Sequence, residues 1–468
     1  MLTEFRSLFR NWISLTGGLV TSVAAVLFAT VFLLDLFGYH TNPYIGIVFF
    51  LVIPAIFLIG LLLVPVGIWR ERRRRRAGRA PSLPHWPVLD LNDRHTRHVA
   101  LAVVVLTIVN VLIVSLAAYR GVEEMDSVAF CGQVCHEVME PEFVAYQDGP
   151  HSRVTCVQCH IGPGAPWFVR SKIDGVRQVF AVAMNSHERP IPSPVRSLRP
   201  ARDVCEQCHW PEKFHGDKVT VIREFAEDEE NTEAVTALQV HVGGGSQRLG
   251  IATGIHWHMN VANEIEYVAT DEQRQEIAYV RLKDRFGNVK EYYADGVSRE
   301  RIAAGERRRM DCMDCHNRPS HPFATSAERA VDDAMAFGEI SRMLPFAKRE
   351  TVAALKRTYP DQQVALDAIA QQLRSFYREN YSAIYDQRRA DVERSVRAAQ
   401  GLYRRNIFPA MKVGWGTYPN NIGHIAFPGC FRCHDESHKA ADGSVIRQDC
   451  DLCHTISENP PPPLPRLE

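Results

Sequence analysis

Cys156-Val157-Gln158-Cys159-His160 is the stretch that decides the fold, because the same arrangement of two cysteines and a histidine returns along the chain. Four more stretches have the C-x-x-C-H form, at residues 205–209, 312–316, 430–434 and 450–454. A sixth, Cys131 to His136, has one extra residue between its cysteines. The twelve cysteines of the 468-residue chain therefore form six close pairs, each followed at once by a histidine.

C-x-x-C-H is the signature of covalent c-type haem attachment. The two thiols add across the porphyrin vinyl groups, and the adjacent imidazole is then placed to bind the iron. Disulfides, zinc sites and redox C-x-x-C motifs are the alternatives, but none of them requires a histidine after the second cysteine. The sequence therefore predicts six covalently bound haem c groups. The predicted attachment residues are Cys131, Cys135, Cys156, Cys159, Cys205, Cys208, Cys312, Cys315, Cys430, Cys433, Cys450 and Cys453.

Haem iron in electron-transfer sites takes two axial ligands, usually His or Met. The predicted first ligands are His160, His209, His316, His434 and His454. Nine other histidines follow Tyr119, so at least four of them are not ligands of these five haems. Their positions in short loops beside a motif favour four second ligands, His151, His321, His424 and His438. The fifth is expected from His258, His256, His215 or His187; His256 and His258 alternate on a predicted strand and would share one face.

Most of the apolar excess lies in the first 120 residues. Uncharged runs cover residues 12–34, 44–69 and 99–119. A helix rises about 1.5 Å per residue, so each run is long enough to cross a hydrocarbon core of about 30 Å. The sequence therefore predicts a membrane domain, residues 1–121, with three transmembrane helices. The arginine-rich stretch at 70–79 places the N-terminus in the cytoplasm and everything after Tyr119 outside.

The rest of the chain divides by composition. Residues 122–217 hold three motifs in under 100 residues, which leaves little room for a conventional core, so the haems are expected to form the core. Residues 218–308 predict a β-rich insert with a hairpin around Gly287-Asn288. Residues 309–468 contain the motif at 312–316, two or three helices within 325–405, and the motifs at 430–434 and 450–454. The predicted fold class is a membrane-anchored multihaem cytochrome c: three N-terminal transmembrane helices, a loop- and helix-rich haem domain with a β-rich insert, and a helical C-terminal part.

Residues 130–211 resemble the NapC/NirT/NrfH family of membrane-anchored quinol dehydrogenases. The resemblance rests on Cys135-His136-Glu137-Val138-Met139, on His151 nine residues before His160, on Lys172 twelve residues after it, and on the stretch from Cys205 to Pro211. More loosely, residues 254–258, 315–321 and 429–434 resemble larger inner-membrane cytochromes of metal-respiring bacteria, the ImcH type.

The resemblance implies a function at the bacterial inner membrane with a periplasmic haem domain. Menaquinol or another quinol from the membrane pool would be oxidised, and electrons would pass to periplasmic cytochromes or a reductase. It implies Met139 as an iron ligand of the first haem, His151 as a ligand of a different haem, and Lys172 at the quinol pocket. Asp174 is a further candidate there, because quinol oxidation also releases protons. The extra residue in the first motif is expected to displace His136 from the iron.

Three alternatives stay open. The protein could be a terminal reductase, an electron-transfer subunit whose membrane partner binds the quinone, or a carrier working in reverse towards quinone. Balanced charge, 54 basic against 54 acidic residues, argues against nucleic acid as a partner.

Overall fold

The computed structural model describes residues 9, 11–36, 53–79, 90–134, 136–195, 198–210, 213–214, 216–244, 253–259, 263–457 and 460–461. They belong to two compact units. The first comprises Met1–Ser127 and Ile161–Val176, and the second comprises Val128–His160 and Arg177–Glu468. All six attachment motifs fall within the second unit.

The α-helices are α1 (Trp12–Leu36), α2 (Ile53–Arg76), α3 (Arg94–Met125), α4 (His136–Asp148), α5 (Cys156–His160), α6 (Ala165–Ala183), α7 (Ala201–Cys205), α8 (Arg299–Ala304), α9 (Cys312–Cys315), α10 (Ala327–Ala336), α11 (Ala347–Leu355), α12 (Gln362–Asn380), α13 (Ser382–Gln387) and α14 (Arg389–Asn406). The strands are β1 (Lys218–Phe225), β2 (Glu233–Val240), β3 (Glu264–Ala269), β4 (Ile277–Lys283), β5 (Val289–Ala294), β6 (Glu306–Arg309), β7 (His438–Ala440) and β8 (His454–Ile456).

Helices α1 and α2 pack closely in the first unit because small residues line their contact. A Cβ atom on Gly60 would lie 2.6 Å from Thr21 Oγ1, and one on Gly17 would lie 2.7 Å from the Gly60 carbonyl oxygen. Ser14 Oγ donates a hydrogen bond of 3.0 Å to the Val64 carbonyl across the same contact. Glycine is required here because any side chain would push the two backbones apart.

Among the residues that the structure describes, no helix is both long enough and apolar enough to cross a membrane. The prediction of three transmembrane helices is therefore wrong. In α2, six arginines and a glutamate fill residues 70–76 and leave an uncharged segment of only 17 residues, Ile53–Trp69. Residues 44–52 of the same predicted run lie outside the described residues. Helix α3 carries Arg94 and Arg97 in its first turn.

Two antiparallel sheets form the β-rich part of the second unit. One has the strand order β1-β2-β8 and the other β6-β3-β4-β5-β7. The predicted hairpin is present: Lys283 of β4 pairs with Val289 of β5, and Gly287 in the turn has a φ of 83°. The last strands of both sheets come from the C-terminal region, so each sheet holds a segment near the fifth or sixth motif.

A conventional hydrophobic core lies in the helices α10 to α14. Its fully buried side chains include Val331, Leu344, Ile369, Val392 and Tyr403. These apolar residues recur at helical spacing, which gives each helix one face to bury. Asp332 and Lys348 form an ion pair inside this core, with Lys348 Nζ 2.9 Å from Asp332 Oδ1.

Residues 128–217 bury far less. In this stretch the buried apolar side chains that the structure describes are Val138, Ala145, Tyr146, Val157, Ile161, Phe168 and Ala201. Five of them lie on helices that carry parts of the first three motifs, Phe168 lies on α6, and Ile161 follows the end of α5. Few of the described apolar side chains are therefore available to fill the space between the first three motifs.

Candidate haem-binding sites

Five of the motif histidines lie opposite a second histidine in the second unit. The separations between ring centroids are 6.2 Å for His160 and His321, 6.0 Å for His209 and His151, 6.3 Å for His316 and His256, 5.9 Å for His434 and His258, and 6.1 Å for His454 and His424. The five pairs bring together residues that are between 30 and 176 positions apart in the sequence.

These separations fit a haem iron between the two rings. An imidazole nitrogen binds a transition metal at about 2 Å and lies about 1 Å from its own ring centroid, so two axial imidazoles on one iron have centroids about 6 Å apart. All five pairs agree with this distance. The residues present therefore fit five haem groups, each held by two thiols of a motif and by two imidazoles.

Five of the ten paired histidines have Nδ1 hydrogen-bonded to a backbone carbonyl. The donor–acceptor distances are 2.7–3.0 Å. The pairs of Nδ1 donor and carbonyl acceptor are His151 and Pro319, His256 and Val242, His258 and Ile255, His321 and Glu142, and His434 and Arg447. A carbonyl oxygen can only accept, so Nδ1 carries the hydrogen and Nε2 keeps its lone pair. The same bond fixes the ring orientation of a metal-binding histidine.

Burial also favours the neutral form of four of the paired imidazoles. It lowers the pKa of His160, His258, His316 and His321, and the facing histidine lowers it further in the first three. Only neutral imidazole has a lone pair to give to iron. The local environment therefore prepares these side chains for ligation.

Four of the predicted second ligands, His151, His321, His424 and His258, lie in these pairs, but His438 does not. His438 is buried, with Nδ1 2.8 Å from Asp435 Oδ1 and Nε2 2.9 Å from the Ile277 carbonyl oxygen. Its Nε2 therefore donates a hydrogen bond and has no lone pair for iron. This geometry argues against the prediction for His438. The fifth pair is instead formed by His256, which faces His316.

His256 and His258 lie on a 3₁₀-helix, Ile255–Met259, where the sequence predicted a strand. A 3₁₀-helix has three residues per turn, so side chains two positions apart point about 120° away from each other. On a strand they would have shared one face. The tighter turn explains why His256 faces His316 while His258 faces His434.

The other candidate histidines have no histidine partner in the part of the chain that the structure describes. His241 Nδ1 lies 3.2 Å from Asp217 Oδ1. Both ring nitrogens of His187 are buried without a hydrogen-bond partner among the described residues. His215 lies outside those residues.

The first motif has a different local structure. Phe130–Val134 forms a π-helical turn directly before α4. A Cβ atom on Gly132 would overlap the ring of Phe143, so this position accepts only glycine. Cys135 and the side chain of His136 lie outside the described residues. Met139 is half-buried in α4, next to Val138, which packs with Phe408, Met411 and Tyr418.

Two arginines that the sequence did not single out support the sites. Arg318 Nη2 lies 2.6 Å from Glu142 Oε2, and Glu142 also accepts the His321 hydrogen bond through its carbonyl. Arg432, inside the fifth motif, donates to the carbonyl oxygens of Gly429, Arg274 and Asp314. In the sequence, the position of each arginine within or directly after a motif was the only sign that it contributes to a haem-binding site.

The predicted quinol residues lie in the first unit. Lys172 Nζ is 3.4 Å from Asp126 Oδ1 and 4.7 Å from the ring centroid of Phe168. Asp174 is half-buried on the same helix, α6. Two apolar side chains beside them, Ile173 and Val176, are 65% and 59% exposed. A partly buried cation next to exposed apolar side chains is a suitable environment for an amphipathic ring.

Paired thiols and paired imidazoles recurring in one unit define a c-type cytochrome that carries several haems. The family model described as the NapC/NirT cytochrome c family, N-terminal region, matches residues 94–190. The chain is 42% identical over 448 residues to the cytochrome c-type protein ImcH of Geobacter sulfurreducens (strain ATCC 51573 / DSM 12127 / PCA), covering 95% of this chain and 88% of that protein. The chain belongs to this family of NapC/NirT-related multihaem cytochromes c, whose members transfer electrons between redox proteins. No solved structure matches it.

Proposed function

We propose that this protein is a quinol dehydrogenase of the bacterial inner membrane with six haems. It oxidises menaquinol or a related quinol and passes the electrons to periplasmic cytochromes or a reductase. Haem c supplies one-electron carriers held by the six motifs. Family membership supports the location, since proteins of the NapC/NirT family are membrane-anchored.

The observation that carries the proposal is the set of five imidazole pairs. An iron with two protein ligands has no open position for a substrate, so it transfers electrons and does not bind a small molecule. A terminal reductase needs one open iron face, and the five paired sites offer none. The five paired sites are therefore suited to electron transfer, and quinol oxidation needs a site of its own.

Lys172 and Asp174 are the residues we assign to that site. The Lys172 ammonium can donate to a quinol oxygen, and its neighbour Asp126 balances the charge. Ile173 and Val176 offer the apolar surface that a quinol ring and its tail require. Quinol oxidation releases two electrons and two protons, and a carboxylate such as Asp174 can accept a proton at the site.

Anaerobic mixing of the purified full-length protein with a reduced menaquinol analogue tests this function. Haem absorbance should show reduction by the quinol without any partner protein. Lys172→Met should slow that reduction about tenfold or more, since it removes the cation but keeps the apolar stem. Lys356→Met, which removes a surface lysine paired with Glu328, is the matched control and should leave the rate unchanged.

Dithionite should reduce every variant fully, which separates loss of the quinol site from loss of haem. If quinol does not reduce the wild-type protein while dithionite does, the quinone is bound by a partner and the proposal is wrong.

A further inference from the structure

Consecutive attachment motifs lie next to one another in the second unit. Helix α5 of the second motif packs against α7 of the third, and α7 packs against α9 of the fourth. Between the fourth and fifth motifs, Arg432 Nη2 donates a 2.5 Å hydrogen bond to the Asp314 carbonyl oxygen. Asn421 donates to the same oxygen at 3.0 Å. These contacts join the second motif to the third, the third to the fourth and the fourth to the fifth.

The thiols follow the same order. Cys131 of the first motif lies within hydrogen-bonding distance of Cys156 of the second. Cys205 of the third motif shares a hydrogen bond with Cys312 of the fourth. Cys159 has Cys208 as an electrostatic neighbour, so the second and third motifs are joined as well.

The later motifs continue this series. Cys430 of the fifth motif lies near Cys315 of the fourth. Cys430 is also the thiol neighbour of Cys453 in the sixth motif. His424, which faces His454 of the sixth motif, stacks on Phe431 of the fifth at 4.2 Å between ring centroids. The links between thiols described here all join one motif to the next in the chain.

We propose that the six haem sites form a single file in chain order and that electrons leave from the sixth site. This inference rests on the proposed function for the direction of flow. Electron tunnelling slows steeply with distance, so an electron passes between neighbouring haems. The sixth site reaches the surface: Cys450 is exposed, as is Cys208 of the third motif, and Ile456 beside the sixth motif is 67% exposed. The four cysteines of the fourth and fifth motifs are only partly accessible.

Removing single haems from the full-length protein tests the order. Cys312→Ala with Cys315→Ala removes the fourth haem, and Cys450→Ala with Cys453→Ala removes the sixth. Intact mass should show five haems in each variant, and EPR should show the remaining paired sites still low-spin. A variant that fails this check is replaced by a single Cys→Ala change in the same motif, again judged by mass.

Each variant is first reduced with dithionite and then oxidised by a soluble ferricytochrome c, while haem absorbance counts the haems that lose electrons. Without the fourth haem, two haems should be oxidised at the wild-type rate and the other three at least about tenfold more slowly. Without the sixth, all five should be slow. Uniform wild-type rates in either variant would overturn the single file.

Because dithionite replaces quinol in this assay, its result does not depend on the quinol site. Failure of quinol to reduce the wild-type protein would reject the proposed function and leave the order of the haems as measured.

Discussion

His424 and His438 are fourteen residues apart, but the ring of one faces a motif histidine whereas both ring nitrogens of the other are hydrogen-bonded. His424 faces His454, whereas His438 gives both nitrogens to Asp435 and Ile277. His424→Ala should therefore leave six haems attached but convert one from low-spin to high-spin. His438→Ala should leave every EPR signal unchanged and lower the free energy of unfolding by about 1–3 kcal/mol, because the buried Ile277 carbonyl and the half-buried Asp435 carboxylate lose their hydrogen bonds. A change of spin state in the His438 variant would contradict this assignment.

His256 and His258 allow a second comparison between neighbours. Each change to alanine should make a single haem high-spin, and the two variants should affect different EPR signals because the rings face different motif histidines. His241→Ala is the control, since His241 contacts Asp217 and should leave all the signals unchanged. Loss of the same signal in both variants would mean that the two histidines serve one haem.

The attachment residues could be predicted from the sequence because spacing within five residues determines how a motif holds haem. The second ligands could be predicted only in part, since they arrive through tertiary packing. Nearness along the chain pointed to His424, which pairs, but equally to His438, which a strand of the larger sheet buries. His256 was a weaker candidate because its distance of 60 residues from His316 carries no local signal.

The π-helical turn at Phe130–Val134 leads to a prediction about the widened first motif. A π-helix closes i→i+5 hydrogen bonds where an α-helix closes i→i+4, so one turn holds about one more residue. The extra residue is thereby absorbed, and the two thiols can attach haem as in the other motifs. Deleting Gln133 should therefore leave six haems attached and should convert the π-helical turn into an ordinary α-helical turn. Intact mass and the haem spectrum of denatured protein check this, and a species with five haems would contradict it.

The ion pair between Lys348 and Asp332 leads to a prediction about the helical core. Asp332 also accepts the backbone hydrogen bond of Phe225 in β1, so its charge links the core to the smaller sheet. Lys348→Met should lower the free energy of unfolding by about 3 kcal/mol, because it leaves the buried Asp332 carboxylate without its cation. Lys356→Met breaks an exposed pair and should leave the free energy of unfolding nearly unchanged. Chemical denaturation followed by circular dichroism measures both.

Regular elements were predictable where the pattern is local. The β4–β5 hairpin follows from Gly287-Asn288, because glycine at that turn adopts a positive φ without strain. The 3₁₀-helix at Ile255–Met259 was missed because a short alternating sequence pattern does not distinguish a β-strand from a short helical turn. The apolar runs near the N-terminus were misread because uncharged length alone does not exclude helices that end in charged turns.

The two kinds of core in the second unit predict unequal dependence on haem. Residues 327–406 bury their own apolar side chains, whereas residues 128–217 bury few among those described. Protein made without haem attachment should therefore lose its structure at 128–217 and keep it at 327–406. Limited proteolysis with mass mapping measures this: cleavage should concentrate in the first stretch and spare the second. Equal protection of both stretches would show that side chains alone hold the haem domain together.

The pairing of His160 with His321 also has a consequence for how the chain matures. In the other four pairs the second histidine is synthesised before its motif, so both ligands are present when haem is attached. The second haem instead meets His321 only after 161 more residues have followed His160. Until then its iron has one open face, exposed to oxygen and to stray thiols. If haem were attached while the chain is still being made, the second haem would therefore pass through a vulnerable interval, which would end when the segment after the fourth motif folds back.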